Sequence, residues 1–347
     1  MIKKLAALPL LLIFSLGLGS TAAFASHEER PPGQYITLID ENNNIIHRTG
    51  MQVYVGDEYI AADNSRYEVV EVIDNTARCI YRGKERMPVV NYDQQQNAWI
   101  LKTEEIPVIG KNEKPTIAVY HTHSDESYVP SDGKESIPGK GGIYDVGQAF
   151  VERLEELGFE VAYSQNNHNP HDINAYSRSR RTAAQLLKKT GPAAIIDVHR
   201  DATPPDEYQS EVNGENVTQV KLVVGRQNPN MKTNLEFAKN IKAVMDKKYP
   251  GLSNGIFIGK GDYNQDLSPR AILLEVGAHT NSKEEAQKGV AMFAEILPPV
   301  LGVSAAGQTA AKPAAAENQN ALGTVLIALI VVAAAAGGYY LLNKGKV

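Results

Sequence analysis

The stretch YHTHSDESY, residues 120–128, concentrates side chains that bind metal ions at the end of a short apolar run, PTIAVY. It holds His121 and His123, followed by Glu126. Further along the chain, IIDVHRDA places His199 directly after another apolar run. Neutral imidazoles and carboxylates are ligands that zinc takes in proteins. A fold does not need such clusters, so their types and positions indicate a catalytic metal site.

A catalytic zinc site uses three protein ligands and keeps one position for water, whose pKa falls to about 7. A separate carboxylate must then carry protons. We predict His123, Glu126 and His199 as ligands and Glu275, which follows the apolar run AILL, as the separate carboxylate. His121 is the alternative to His123, because two residues apart in a strand share a face. We favour His123, since it lies further past the strand end, in the loop where sites are built.

The elements that must bring these residues together follow Pro115, where apolar strands alternate with amphipathic helices such as YDVGQAFVERLEELG. Strands that are apolar throughout predict the α/β class, with a mostly parallel sheet and helices on both faces. We expect this amidase-like catalytic domain to span residues 114–302. Parallel sheets place ligands at the carboxyl ends of their strands, so the three polar clusters should meet at one edge.

The residues before this domain show a different sequence pattern. Residues 34–90 contain short runs rich in Val, Ile and Tyr with turn signals between them, which predicts a small all-β antiparallel domain. Residues 26–33 are predicted to be a linker, and residues 91–113 a connector between the two domains.

Apolar runs at both ends of the chain predict segments that interact with a membrane. Residues 1–25 have a basic start, an apolar run and small residues, which predicts a secretory signal cleaved after Ala25; an uncleaved anchor is the alternative. Residues 322–342 form an uncharged apolar run, long enough as a helix for a hydrocarbon core of about 30 Å. We therefore predict a flexible linker over 303–321, one C-terminal transmembrane helix and a cytoplasmic tail over 343–347. The predicted localisation is the cell membrane, single-pass, with an extracytoplasmic body.

Composition excludes some classes of function. The 347 residues carry a formal net charge of -5 without a block of Lys and Arg, so we expect no nucleic-acid partner. The single cysteine, Cys79, cannot form an internal disulfide, so stability must come from packing.

The chain resembles the stage II sporulation protein P family, which is similar to zinc-dependent N-acetylmuramoyl-L-alanine amidases. The resemblance covers roughly residues 115–302 and rests on YHTHSDESY, YSRSRRTA, IIDVHRDA, YNQDLSPRAILLEVG and NSKEEA. It implies cleavage of the amide between N-acetylmuramic acid and L-alanine in peptidoglycan, and also a peptide-crosslink endopeptidase activity. It further implies Zn²⁺ held by the His of the HTH stretch, by Glu126 and by His199, with Glu275 as acid and base. The stage II sporulation proteins D and M are expected partners.

Three further residues match family positions: Arg180, Arg200 and Asp201. We predict that they bind substrate, because an arginine can pair with a stem-peptide carboxylate through two hydrogen bonds. A structural ion pair is the alternative for each of them.

Other histidines and other functions compete with this interpretation. His168 and His171 lie in the Pro- and Asn-rich loop NNHNPHD, which we interpret as a surface loop, and His279 is assigned to the rim of the site. The competing function is a non-catalytic module with a degenerate amidase fold that binds cell wall and recruits another hydrolase. A metallopeptidase of another class is disfavoured, because no HExxH motif is present.

Overall fold

The computed structural model describes residues 30, 33–93, 98–102, 114–172 and 174–303. In these residues the chain forms 15 strands and six α-helices. The strands are β1 (Ile36–Ile39), β2 (Ile45–Thr49), β3 (Glu58–Ile60), β4 (Ser65–Ile73), β5 (Thr76–Lys84), β6 (Val89–Asp93), β7 (Ala98–Lys102), β8 (Thr116–Tyr120), β9 (Glu160–Tyr163), β10 (Ala194–Asp201), β11 (Gln209–Val212), β12 (Glu215–Thr218), β13 (Val220–Gly225), β14 (Ser253–Gly259) and β15 (Ala271–Ala278). The helices are α1 (Val129–Asp132), α2 (Ile143–Glu156), α3 (Ala175–Thr190), α4 (Met231–Lys248), α5 (Lys283–Ala294) and α6 (Leu297–Leu301).

One sheet of 11 strands dominates the described residues, in the order β2-β1-β5-β4-β3-β14-β13-β15-β10-β8-β9. Strands β15, β10, β8 and β9 are parallel to one another. Strands β13 and β14 are parallel to each other, but β13 runs antiparallel to β15. The remaining strands join through β3, which pairs antiparallel with β14. The sheet is therefore mixed, with a parallel part at one end.

The predicted fold class, a mostly parallel sheet preceded by a small all-β domain, is wrong. Strands β1 to β5 continue the main sheet through the pairing of Ile60 with Ile256, and antiparallel pairs are as frequent as parallel ones among its neighbours. The physical reason is that burial on both faces gives a strand the same apolar sequence whichever way its neighbour runs. The domain boundaries that we drew from composition stay predictions.

Helices α2, α4 and α5 pack on one face of the sheet. Helix α2 repeats Val146, Phe150 and Leu154 at helical spacing, and these residues enter one core with residues from α4, α5 and the sheet. Helix α3 lies on the opposite face, where its Ala183 packs against Ala118 and Ile195. The parallel part of the sheet is thus covered on both faces.

A second core joins the β-rich strands to the rest of the sheet. Leu38 and Val69 from β1 and β4 pack in one cluster with Val223, Phe257 and Leu273 from β13, β14 and β15. The β-rich strands therefore share a core with the face of the sheet on which α3 lies. Separating them from the α/β strands would expose this shared core.

A buried polar contact fixes the end of β2 against β10. Asp201 accepts hydrogen bonds from Gly50 N at 2.7 Å and from Thr49 Oγ1 at 3.2 Å, and it forms an ion pair with Lys221 of β13. The chains approach so closely that a Cβ on Gly50 would lie 2.6 Å from the Cβ of Ala202. Only glycine fits at this position without displacing β2.

The predicted localisation, a single-pass protein of the cell membrane, is not supported by the structure of the described residues. Among the helices of the described residues, none combines the length and the apolar character needed to cross a bilayer. The stretches on which the prediction rested, residues 1–25 and 322–342 with their flanking segments 303–321 and 343–347, lie outside the described residues.

Replacing Lys221 by Met should destabilise the protein by about 3 kcal/mol, because the buried Asp201 carboxylate would lose its ion-pair partner. Urea unfolding measures this free energy. Lys242→Met is the matched control: Lys242 is also buried, but its partner Asp246 keeps 31% of its side-chain area exposed and can hydrate. The control should therefore cost less, and equal losses for the two variants would contradict the assignment.

Stability should fall on acidification through Glu295, which joins α2 to α4. Burial alone would raise the pKa of Glu295, but hydrogen bonds from Lys248, Tyr249 and Arg153 outweigh it and lower the pKa to about 2 from 4.5. This contribution is complete above pH 4.5 and is lost as the pH falls towards 2.

Glu295→Gln should accordingly cost about 1 kcal/mol at pH 7 and much less at pH 2.5, as measured by thermal unfolding. Glu215→Gln is the control, since this exposed carboxylate lies 3.8 Å from Lys288 and is expected to matter little. A wild-type advantage that stays constant with pH would show that the Glu295 contacts do not act through its charge.

Candidate metal centre

The candidate site lies where three parallel strands end. Strands β8, β10 and β15 are neighbours in the order β15-β10-β8, so their carboxyl ends meet at one edge of the sheet. The chain leaves β8 after Tyr120 and carries His123 and Glu126 in the following loop. Strand β10 carries His199, which is in register with Glu275 of β15. Side chains in register on parallel strands point to the same face, so His199 and Glu275 lie side by side.

His123, Glu126 and His199 form a buried group that could hold a metal ion. One potential ligand atom from each residue lies within 4.8 Å of the others. Glu126 Oε1 is 3.1 Å from His123 Nδ1 and 3.1 Å from His199 Nδ1. Two imidazole nitrogens and a carboxylate oxygen that converge in this way fit a divalent cation that accepts nitrogen and oxygen ligands.

Neighbouring groups contact two of the three side chains, His199 and Glu126. Asp197 Oδ1 lies 3.0 Å from His199 Nε2, and it accepts a hydrogen bond from Thr122 N at 2.8 Å. The other Glu126 oxygen, Oε2, accepts one from Arg200 N at 3.0 Å. Burial alone would lower the pKa of His199, but the charges of Asp197 and Glu126 raise it well above its usual range. Two buried acids that share one imidazole make the site electronegative and therefore suited to a cation.

His121 lies outside this group. Its Nδ1 is 2.8 Å from Val198 O and its Nε2 is 2.9 Å from Tyr163 Oη, so both ring nitrogens have partners. Burial lowers the pKa of His121 to about 4. The expectation that His121 and His123 share a face fails because β8 already ends at Tyr120, and strand alternation does not extend into the loop.

Glu275 is adjacent to the group without belonging to it. It is paired in register with His199 on one side and with Lys221 on the other, and it is 2% exposed. Its Oε2 has no hydrogen-bond partner among the described residues. Burial raises the pKa of Glu275 well above its usual range, and the charge of Asp201 adds to this effect while Lys221 opposes it.

The three remaining predicted residues are engaged within the protein. Arg180 forms two hydrogen bonds with the Asp266 carboxylate, at 2.6 Å and 2.5 Å. Arg200 is 4% exposed, and its Nη2 donates to Glu135 O at 3.1 Å. Asp201 accepts its bonds from β2 and from Lys221, as described above. Arg180 and Asp201 form ion pairs, the structural alternative stated for them, whereas the Arg200 contact is to a main-chain carbonyl. Substrate binding by all three residues stays a prediction.

The sequence matches one family along most of its length. A profile described as stage II sporulation protein P matches residues 41–298. The chain belongs to the stage II sporulation protein P family. It is 33% identical over 203 residues to the stage II sporulation protein P of Bacillus subtilis (strain 168), an alignment that covers 53% of this chain and 51% of that protein. The chain therefore aligns with about half the length of this curated relative.

Two solved structures show a distant likeness. One is an N-acetylmuramoyl-L-alanine amidase from Clostridium difficile 630, with 16% identity and a TM-score of 0.33 over 54% of this chain and 92% of that one. The other is the catalytic domain of an endolysin that targets Clostridia difficile, with 14% identity and a TM-score of 0.33 over 55% and 98%. Similarity at this level is too low to support an argument about fold or activity.

Several side chains that lie at the site were not predicted from the sequence. The loop NNHNPHD is largely exposed, as interpreted, but His168 within it is buried and bonded to His121 O at 2.7 Å, and the half-buried His171 stacks on His123. Asp197 was detectable, because it precedes His199 by two residues and must share its strand face. Lys221 carried a weaker signal, a single charge within the apolar strand VKLVV.

Metal binding should distinguish the role of His123 from that of His121. His123→Gln should abolish binding of one Zn²⁺ per chain, because it removes one of three converging ligands, whereas His121→Gln should retain the metal. Isothermal titration with Zn²⁺, together with circular dichroism to verify folding, measures the difference. Loss of the metal in the folded His121 variant but not in the His123 variant would reverse the assignment.

Proposed function

We propose that this protein is a zinc-dependent peptidoglycan hydrolase that cleaves the amide between N-acetylmuramic acid and the L-alanine of the stem peptide. The observation that carries the proposal is the buried group of His123, Glu126 and His199 with Glu275 in register beside it. Family membership supports the same conclusion, since the resemblance described from the motifs implies this activity. A role in cell-wall remodelling during sporulation is part of the proposal and follows the name of the family.

Zinc fits the donor set better than magnesium or calcium. Two of the three donors are imidazole nitrogens, whereas magnesium and calcium take oxygen ligands. The carboxylate of Asp197 lies behind His199, 3.0 Å from Nε2, where an outer partner of a ligand histidine is expected. When bound, the ion supplies Lewis acidity, which polarises a substrate carbonyl and lowers the pKa of water towards about 7.

Glu275 is the proposed acid and base. It takes a proton from the attacking water as the new C–O bond forms, and it gives that proton to the amine nitrogen as the C–N bond breaks. Its carboxyl suits this exchange because it lies beside His199 and its Oε2 makes no hydrogen bond within the described residues. An atom without a fixed partner remains available to water and to the leaving group.

Glu275→Gln should lower the rate of peptidoglycan hydrolysis by at least about 100-fold while zinc stays bound, because proton transfer is lost but no ligand is. Mass spectrometry of digests of purified cell wall measures the products, and metal analysis of the same sample measures zinc. Free stem peptides indicate amidase activity, and shortened crosslinks indicate endopeptidase activity. Chelation of the wild-type protein should also stop the reaction.

Two results would contradict this mechanism in different ways. Near-normal activity of the Glu275→Gln protein would exclude Glu275 as the acid and base. A zinc-loaded wild-type protein that sediments with cell wall but releases no fragment would favour the competing function, a non-catalytic wall-binding module.

A further inference from the structure

The loop between β9 and α3 brings a histidine, His171, onto the ring of His123. The two ring centroids are 3.8 Å apart and the ring planes differ by 23°, which is a stacked pair. The rings of His199 and Tyr176 meet His123 at steep angles instead, with centroids at 4.9 Å and 5.5 Å. His123 is thus enclosed by three rings, and His171 is the one that lies parallel to it.

A buried carboxylate orients His171. Its Nδ1 lies 3.1 Å from Oδ1 of Asp125, which is 3% exposed and also accepts a hydrogen bond from the hydroxyl of Ser136. Asp125 belongs to the same short segment as His123 and Glu126. The segment that supplies two candidate ligands therefore also holds the residue that packs against one of them.

The loop has a second anchor on its other side. Arg178 of α3 donates from Nε to His168 O at 2.6 Å and from Nη2 to Asp172 Oδ1 at 2.6 Å. These bonds do not involve the candidate ligands. Residues on both sides of His171 are therefore bonded to α3, while its ring contacts Asp125. The side chain keeps 24% of its area exposed, which places it at the opening of the site.

We propose that His171, oriented by Asp125, is a positioning residue for the metal centre. It holds the ring of His123 in the orientation that directs Nδ1 towards Glu126 and His199. A ligand that is already held in place loses less conformational freedom when the ion binds, so affinity rises. This inference rests on the proposed function, because it requires that a metal binds at His123.

His171→Ala should weaken Zn²⁺ binding by the full chain by about 10-fold or more, as is typical when an outer partner of a ligand is lost. His171→Phe keeps a flat ring over His123 and should lose less. Competition with a chromophoric chelator measures the dissociation constants. The visible spectrum of the Co²⁺-loaded protein should also change in His171→Ala, because a loosened His123 alters the ligand field.

Two further variants distinguish the effect of the His171 ring on Zn²⁺ binding from the effect of the loop that carries it. Asp125→Asn weakens the contact that orients His171 and should reproduce part of the loss. Asp172→Asn is the matched control, since it removes a carboxylate from the same loop but leaves the stacked pair intact. It should bind Zn²⁺ like the wild type. Should His171→Ala fail to fold, Asp125→Asn provides the test, because it keeps the ring of His171 but weakens the contact that orients it.

The proposal is overturned if folded His171 variants bind Zn²⁺ like the wild type with an unchanged Co²⁺ spectrum, a result that leaves the proposed function standing. It is also overturned if Asp172→Asn weakens binding as much as His171→Ala, because the loop and not the ring would then matter. A wild-type protein that binds no Zn²⁺ overturns the proposed function together with this inference.

Discussion

The buried ion pair of Asp201 and Lys221 is the constraint on which the rest of the structure depends. Removing two charges from water is costly, and a pair of this kind persists only when hydrogen bonds saturate it. Here Thr49 and Gly50 at the end of β2 supply donors to Asp201, and Tyr208 adds another at 2.8 Å. The β-rich strands are therefore needed to complete a contact inside the α/β part of the sheet.

This constraint extends to the candidate metal centre through the register of the sheet. Lys221 is paired with Glu275, and Glu275 with His199, so one residue of the ion pair, the proposed acid and base, and one candidate ligand occupy one row across three strands. On the far side of that row, Thr122 N and Oγ1 bond to Asp197 and fix the loop that carries His123. The position of each candidate residue is thus set by strands rather than by the loop alone.

Local features of the sequence were sufficient to predict the strands of the parallel part, the helices over them and the meeting of three strand ends. They were insufficient wherever the outcome depended on distant partners. The apolar pattern of β13 does not reveal that it opposes β15, and nothing in β3 indicates its pairing with β14. Likewise, a Pro- and Asn-rich loop is normally exposed, and only the fold brings His171 onto His123.

The balance of buried charge explains why this edge of the sheet suits both a cation and a proton carrier. Glu126, Asp197 and Glu275 are each at most 2% exposed. The nearby buried cations are Lys221, which is bound to Asp201, and Arg200, which lies beside Glu126. A divalent ion at Glu126 would offset that charge directly and would act on Asp197 through His199. The same ion would oppose the effect of burial and would lower the pKa of Glu275. A lower pKa would favour the ionised carboxylate, which the proposed role of Glu275 as a base requires.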